Sequence, residues 1–259
     1  MHSPLGIRPH RMRPADATTW SLVAAAVLVQ IAYPLTAESW RTPVTVLSVV
    51  VFAAASLADA GRVHGLRGVV VLVAVAGGGG LLAESVGLAT GFPFGQYAYA
   101  DTLGPTAFGV PLVVPLAWLM MAWPALVVGR ALAASPLAVV AVGGPALATW
   151  DLFLDPQMVD AGHWAWAHPT PALPLVPGVP LTNFGGWVVV SVAIVAALHA
   201  LLDRPARPTV TSGPAAALYL WVYGSSVLGH LVFFDRPGSA LVGGLAMGLV
   251  AIPFALRLR

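Results

Sequence analysis

Three acidic residues lie inside or at the end of otherwise apolar stretches: Glu84, Asp151 and Asp155. A carboxyl group at membrane depth costs at least about 2.5 kcal/mol, so such a residue is a functional candidate by default. Asp151 and Asp155 are four residues apart and share one face of a helix. Low dielectric and a neighbouring like charge both favour a neutral acid. A group of buried carboxyls can therefore hold a proton donor beside a proton acceptor, which is the equipment for general acid–base chemistry. Aromatic residues follow the acids: Tyr97, Tyr99 and Trp118 after Glu84, and Trp164, Trp166 and Trp187 after Asp151. Their faces can line a pocket and stabilise a cation, a desolvated contact being worth about 2 kcal/mol or more. Asn183 can bind water, and His230 lies near the end of another apolar stretch, at the expected level of the acids.

Structural readings compete with these roles. Carboxyls between helices can act only as hydrogen-bonding glue, and Asp155-Pro156 is also a helix-end signal. Trp and Tyr gather at membrane interfaces without any chemistry, and His230 fits an interfacial position equally well. His199, toward the other end of its stretch, reads as structural. His163 and His168 lie in a loop without the tight spacing of metal ligands, and the chain has no cysteine, so no metal is expected.

The elements that must position these residues are membrane helices. Of 259 residues 58% are apolar and 8% charged, against about 25% charged in soluble domains, so lipid has to replace water around most of the chain. A net charge of +2, scattered along the chain, gives no footprint for nucleic acid. Stretches near the 20 or so apolar residues that a crossing needs are Thr18–Ala37, Pro43–Leu57, Gly68–Ala89, Pro111–Ala134, Pro136–Leu154, Asn183–Leu202, Pro214–Phe234 and Ser239–Leu256. The expected fold is an all-α integral membrane protein of about eight transmembrane helices, a single domain over residues 1–259. The first stretch is read as retained rather than cleaved. With eight crossings, Arg8, Arg11, Arg13, Arg62, Arg67, Arg130, Arg204, Arg207, Arg257 and Arg259 share one face, and only Arg41 and Arg236 the other. Cytoplasmic loops are rich in arginine, so a multi-pass protein of the cell membrane with both termini cytoplasmic is expected. The acids then gather near the opposite face.

Two segments repeat. Glu84 is followed eleven residues on by Gly95-Gln96-Tyr97-Ala98-Tyr99, then Gly109-Val110-Pro111-Leu112 and Trp118. Asp151 is followed eleven residues on by Gly162-His163-Trp164-Ala165-Trp166, then Gly178-Val179-Pro180-Leu181 and Trp187. The order and spacing point to a duplicated helical hairpin, with halves at about 68–134 and 136–202. Both copies run in the same direction, a parallel repeat whose axis lies along the membrane normal. Prolines 169, 171, 174, 177 and 180 predict a stiff, extended second loop placed as a lid.

Glu84-Ser85-Val86-Gly87 with Gly91-Phe92-Pro93-Phe94-Gly95-Gln96-Tyr97, Thr149-Trp150-Asp151-Leu152-Phe153-Leu154-Asp155-Pro156, Trp164-Ala165-Trp166 and Pro180-Leu181-Thr182-Asn183-Phe184-Gly185-Gly186-Trp187 resemble the signatures of the membrane carotenoid biosynthesis proteins, the family typified by bisanhydrobacterioruberin hydratase and bacterial carotenoid 1,2-hydratases. The resemblance covers roughly residues 30–257. It implies water addition to the terminal double bond of a linear carotenoid such as lycopene, gamma-carotene or a C50 relative, with the lipid bilayer and other carotenoid enzymes as partners. That chemistry needs no cofactor: an acid protonates the less substituted carbon, a tertiary cation forms, and water attacks as a base takes its proton. Glu84 or Asp151 is the expected donor, with the other acid or Asp155 orienting water. A membrane carotenoid cyclase or other isoprenoid lyase would use the same acid and cation chemistry without water. A proton-coupled transporter would need polar groups on both sides of the midplane, and a pigment-binding scaffold would need no chemistry at all.

Overall fold

A computed structural model describes residues 14–202 and 213–259. Arg8, Arg11, Arg13, Arg204 and Arg207, which enter the orientation argument, lie outside the described residues. Nine α-helices are found among the described residues: α1 (Pro14–Ala32), α2 (Glu38–Leu72), α3 (Gly79–Thr90), α4 (Val113–Leu132), α5 (Pro136–Ala148), α6 (Asp151–Asp160), α7 (Leu181–Leu201), α8 (Gly213–Val232) and α9 (Pro237–Arg257). A π-helical segment, Val73–Gly78, joins α2 to α3 without a break. Seven continuous helical runs among these residues are long and apolar enough to cross a membrane. The architecture is that of a multi-pass membrane protein.

The second run holds two of the expected spans: Pro43–Leu57 and Gly68–Ala89 lie in one continuous run, Glu38–Thr90, of 53 residues, as two helices joined across a kink at Gly65. Straight, it would measure roughly 80 Å against a hydrocarbon core of about 30 Å. It is not straight, because Gly65 has φ 63° and ψ −157°. A side-chain carbon built on Gly68 would fall 2.5 Å from the Ala60 carbonyl oxygen, and one on Gly61 3.1 Å from Val69 Cγ2. In a straight helix residues 60 and 68 would be about 12 Å apart. The run therefore folds back at Gly65 into two adjacent limbs.

Glycine sets the other close approaches. α5 lies between α4 and α7: a carbon on Gly129 would meet the Val139 carbonyl oxygen at 2.6 Å, and one on Gly144 would meet Val192 Cγ2 at 2.6 Å. Ser135 caps α5, its hydroxyl accepting from the Ala138 amide at 3.3 Å, with Pro136 in the first turn where no amide is needed. Pro145 and Pro156 sit inside α5 and α6, and the two helices are joined at Thr149–Trp150, whose backbone stays right-handed helical. Asp155-Pro156 does not end its helix, which runs on to Asp160. Arg67 donates to the Leu201 carbonyl at 2.7 Å and Arg130 to the Leu202 carbonyl, so two cations cap the C-terminal end of α7.

The two long loops fold over one end of the bundle. They form β1 (Tyr97–Tyr99), β2 (Thr106–Ala107), β3 (Val110–Pro111), β4 (Trp164–Trp166), β5 (Ala172–Leu173) and β6 (Val176–Pro180). β2 pairs with β3 and β5 with β6, so the proline-rich stretch is a short hairpin rather than an extended strap. β1 pairs antiparallel with β4, opposing Tyr97 to Trp166, Ala98 to Ala165 and Tyr99 to Trp164.

Polar groups are not confined to that end. Asp59 is buried near the Gly65 turn, accepting from Arg62 at 2.7 Å and from Trp123 Nε1 at 2.9 Å. The expectation of one polar level overlooked this pair, because Asp59 sits beside Arg62 in a segment that reads as the end of a span.

Candidate active site

Glu84 projects from the middle of α3 into the bundle and is buried. α3 ends at Gly91, whose φ of 76° is the left-handed conformation that closes many helices. The chain then returns, and β1 brings two phenols back onto the acid. Glu84 Oε2 accepts from the Tyr97 hydroxyl at 2.5 Å and from the Tyr99 hydroxyl at 2.8 Å, while Oε1 accepts from Trp118 Nε1 at 3.0 Å. Gly87, one turn after Glu84, leaves the necessary room: a side-chain carbon there would lie 2.9 Å from the Tyr97 oxygen. Burial, and next the charge of Glu84, push both phenols above their ordinary titration range, so they remain hydrogen-bond donors.

The second centre is built by α6, β4 and α7. Asp151 and Asp155 are both buried, one helical turn apart. Asn183, buried in the first turn of α7, donates from Nδ2 to Asp151 Oδ2 at 3.0 Å and also to Asp155 Oδ2. Trp164 Nε1 donates to Asp155 Oδ1 at 3.1 Å. Asp151 Oδ1 is buried with no partner. Asn183 thus bridges the two aspartates through the amide that the sequence reading assigned to water.

The two centres meet. Trp118 and Trp187, the matching tryptophans of the repeat, stack with ring centres 3.9 Å apart and 17° between planes. Tyr99 meets Trp164 edge-on at 5.6 Å, and Trp166 Nε1 donates to the Phe94 carbonyl at 2.8 Å. Between them is a cavity of about 60 Å³. Nine of the predicted residues line it: Glu84, Asp155, Tyr97, Tyr99, Trp118, Trp164, Trp166, Asn183 and Trp187. Asp151 does not line it and stands behind Asp155, joined to it through Asn183. A space of this size holds roughly four waters at about 15 Å³ each, or the last few carbons of a chain.

His230 is not part of the cluster. Its ring nitrogens lie 2.9 Å from the Ser226 carbonyl oxygen and 3.0 Å from that of Phe153, so the imidazole ties α8 to the backbone of α6 and faces a different cavity. Its level along the helix was legible; the direction it faces depends on how α8 packs against α6. Sequence reading also missed Phe94, Thr45 and Val49, which line the small cavity. Phe94 lies within a quoted motif, whereas Thr45 and Val49 belong to a helix with no polar pattern to mark one face. His163, at the loop end, hydrogen-bonds Thr102 Oγ1 at 2.8 Å, and burial lowers its pKa. Among the described residues no three His, Asp or Glu side chains converge as metal ligands would.

A protein family described as carotenoid biosynthesis protein matches residues 42–253. Bisanhydrobacterioruberin hydratase from Haloarcula japonica is 31% identical over 112 residues, which is 41% of this chain. The matched region spans 36% of that protein's length. No solved structure matches.

Proposed function

The chain belongs to the carotenoid biosynthesis protein family, and we propose that it is a hydratase that adds water to the terminal C1=C2 bond of a linear carotenoid. The observation that carries this reading is the pairing of two different carboxyl centres on one small, aromatic-walled cavity. Hydration of an unconjugated trisubstituted alkene needs an acid and a base on either side of a short-lived cation.

Asp151 and Asp155 form the donor. They share one amide, Asp155 faces the cavity, and Asp151 Oδ1 lies behind it unpaired. A proton held by this pair passes from Asp155 to the less substituted alkene carbon. The π pair forms the new C–H bond and leaves a tertiary cation at the other carbon. Trp118, Trp187 and Trp164 line the space around that charge. Glu84 is the acceptor. Three donors surround it, and Oε1, with one donor, keeps a lone pair for a water. The water oxygen attacks the cation and its proton goes to Glu84. Return of that proton to the aspartate pair through cavity water closes the cycle, with one water consumed and no redox change.

The frame fits the same reading. Counting the two limbs around Gly65 separately gives eight crossings, with both termini cytoplasmic and the acid centres toward the outer face. The antiparallel pairing of β1 and β4 about the matching Ala98 and Ala165, and the stacking of the matching Trp118 and Trp187, support descent of residues about 68–134 and 136–202 from one duplicated hairpin.

The test is product mass. A lycopene-producing host carrying the protein is expected to accumulate carotenoids heavier by one or two waters. Glu84→Gln and Asp151→Asn are each expected to abolish that gain while the protein stays in the membrane. A product of unchanged mass but altered absorbance would favour a cyclase, and full activity in both variants would remove the acid–base assignment.

A further inference from the structure

The cavity at the carboxyl groups is too small for a carotenoid, and a second cavity adjoins it. This one is about 490 Å³ and lies between α1, α2, α6 and α8. Thr45, Val49, Leu154 and Met158 line both, so they form a partition with one face on each space. Along α8 the larger cavity is lined from Leu220 to His230, roughly 15 Å at 1.5 Å per residue. That is half the depth of the hydrocarbon core, about 30 Å. At one end Gln30 and Trp221, both on its wall, join α1 to α8 by a 2.7 Å hydrogen bond. Ile31, Leu35, Leu228 and Phe233 line it and are themselves exposed on the outside of the bundle, so the space opens sideways toward lipid.

On the hydratase reading, on which this inference rests, we propose that this groove seats the polyene shaft of the substrate, and that the end group reaches the carboxyl groups past the Thr45–Val49–Leu154–Met158 partition. The occupant is set by three observations together. The reacting end must enter a space of about 60 Å³, so the remainder of the molecule must lie outside it. Only a long, thin, apolar molecule uses a groove that runs along a helix and shares a wall with that space. The sideways opening admits it from the bilayer without passage through water. His230 and Trp150 then belong to the shaft's walls rather than to the chemistry.

Gly224 provides the test. It lines the groove, and a side-chain carbon there would meet nothing within 4 Å. Gly224→Phe adds a ring where the groove wall is open, and Gly224→Ala, which adds one carbon, is the smaller step at the same position. Two substrates are compared in membranes: lycopene, and a short isoprenoid alkene bearing the same trisubstituted terminal double bond. Wild type and Gly224→Ala are expected to hydrate both. Gly224→Phe is expected to lose at least 10-fold with lycopene and less than 3-fold with the short alkene. Pigment retained on the purified Glu84→Gln protein, read by visible absorbance, is expected to fall when Gly224→Phe is added. Undiminished lycopene hydration and pigment retention in Gly224→Phe would overturn the groove. So would equal loss on both substrates with pigment retention unchanged. Wild type that retains lycopene but hydrates neither compound would instead overturn the hydratase reading and leave the groove standing.

Discussion

Asn183 places the hydrogens of one amide nitrogen on two carboxyl groups, those of Asp151 and Asp155. Replacing it with leucine keeps the branched outline and leaves two buried carboxyls without a shared donor. A lost hydrogen bond to a buried polar group costs about 1–3 kcal/mol. If the pair is the proton donor, that disturbance falls on the transition state, and a 10- to 100-fold fall in turnover is expected at about 1.4 kcal/mol per decade. Asn183→Asp, which removes a donor and adds an acid, is expected to fall at least as far, whereas Asn183→Gln should retain part of the rate. Hydration rates measured against protein level in isolated membranes decide it, and an unchanged rate in Asn183→Leu would detach the aspartate pair from the chemistry. The acids and aromatics of this site were legible because carboxyl groups inside apolar stretches and matched spacings are rare. The roles of Asn183 and His230 were not. Whether an amide holds carboxyls or water, and which way an imidazole faces, is decided by side-chain directions from different helices, which spacing along one helix does not fix.

Gly65 shows where the same limit falls at the level of the element. The apolar runs on either side of it predicted two helices, and two limbs are what the chain forms. The tight reversal without a loop was not visible, because Arg62-Val63-His64-Gly65-Leu66-Arg67 is a polar interruption that fits a loop as readily as a bend. The backbone of Gly65, at φ 63° and ψ −157°, lies in a region that is essentially confined to glycine. A side-chain carbon there meets nothing within 4 Å, and the same holds for Gly185 in the helical backbone of α7. The two positions therefore separate backbone strain from crowding. Gly65→Ala is expected to destabilise the detergent-solubilised protein by about 1–3 kcal/mol. Gly185→Ala is expected to be neutral or to stabilise by up to about 1 kcal/mol, because alanine is the better helix former. Thermal unfolding of the two variants beside wild type reads the difference, and equal midpoints would mean that the limbs do not depend on the geometry of this turn.

For the whole molecule, the arginines of the described residues distinguish the two ends of the bundle. Arg62, Arg67 and Arg130 lie at the end where the Gly65 turn and the end of α7 meet, and two of them hold carbonyls of that helix end. Arg236 lies at the opposite end, where it pairs with Asp160 at 2.5 Å. The enrichment of arginine on cytoplasmic faces predicts the Gly65 turn inside and the two loops that cover the carboxyl groups outside. The absence of cysteine from the chain makes this measurable with single introduced thiols. Asp101 and His168 are exposed in the two loops, and Leu66 is exposed at the turn. An impermeant thiol reagent applied to intact cells is expected to label Asp101→Cys and His168→Cys at once, and Leu66→Cys only after the membrane is opened. The opposite pattern would invert the orientation and bring the acid centres to the cytoplasmic face. Labelling of all three from outside would show that the limbs around Gly65 do not cross, and the eight-crossing topology would fall with them.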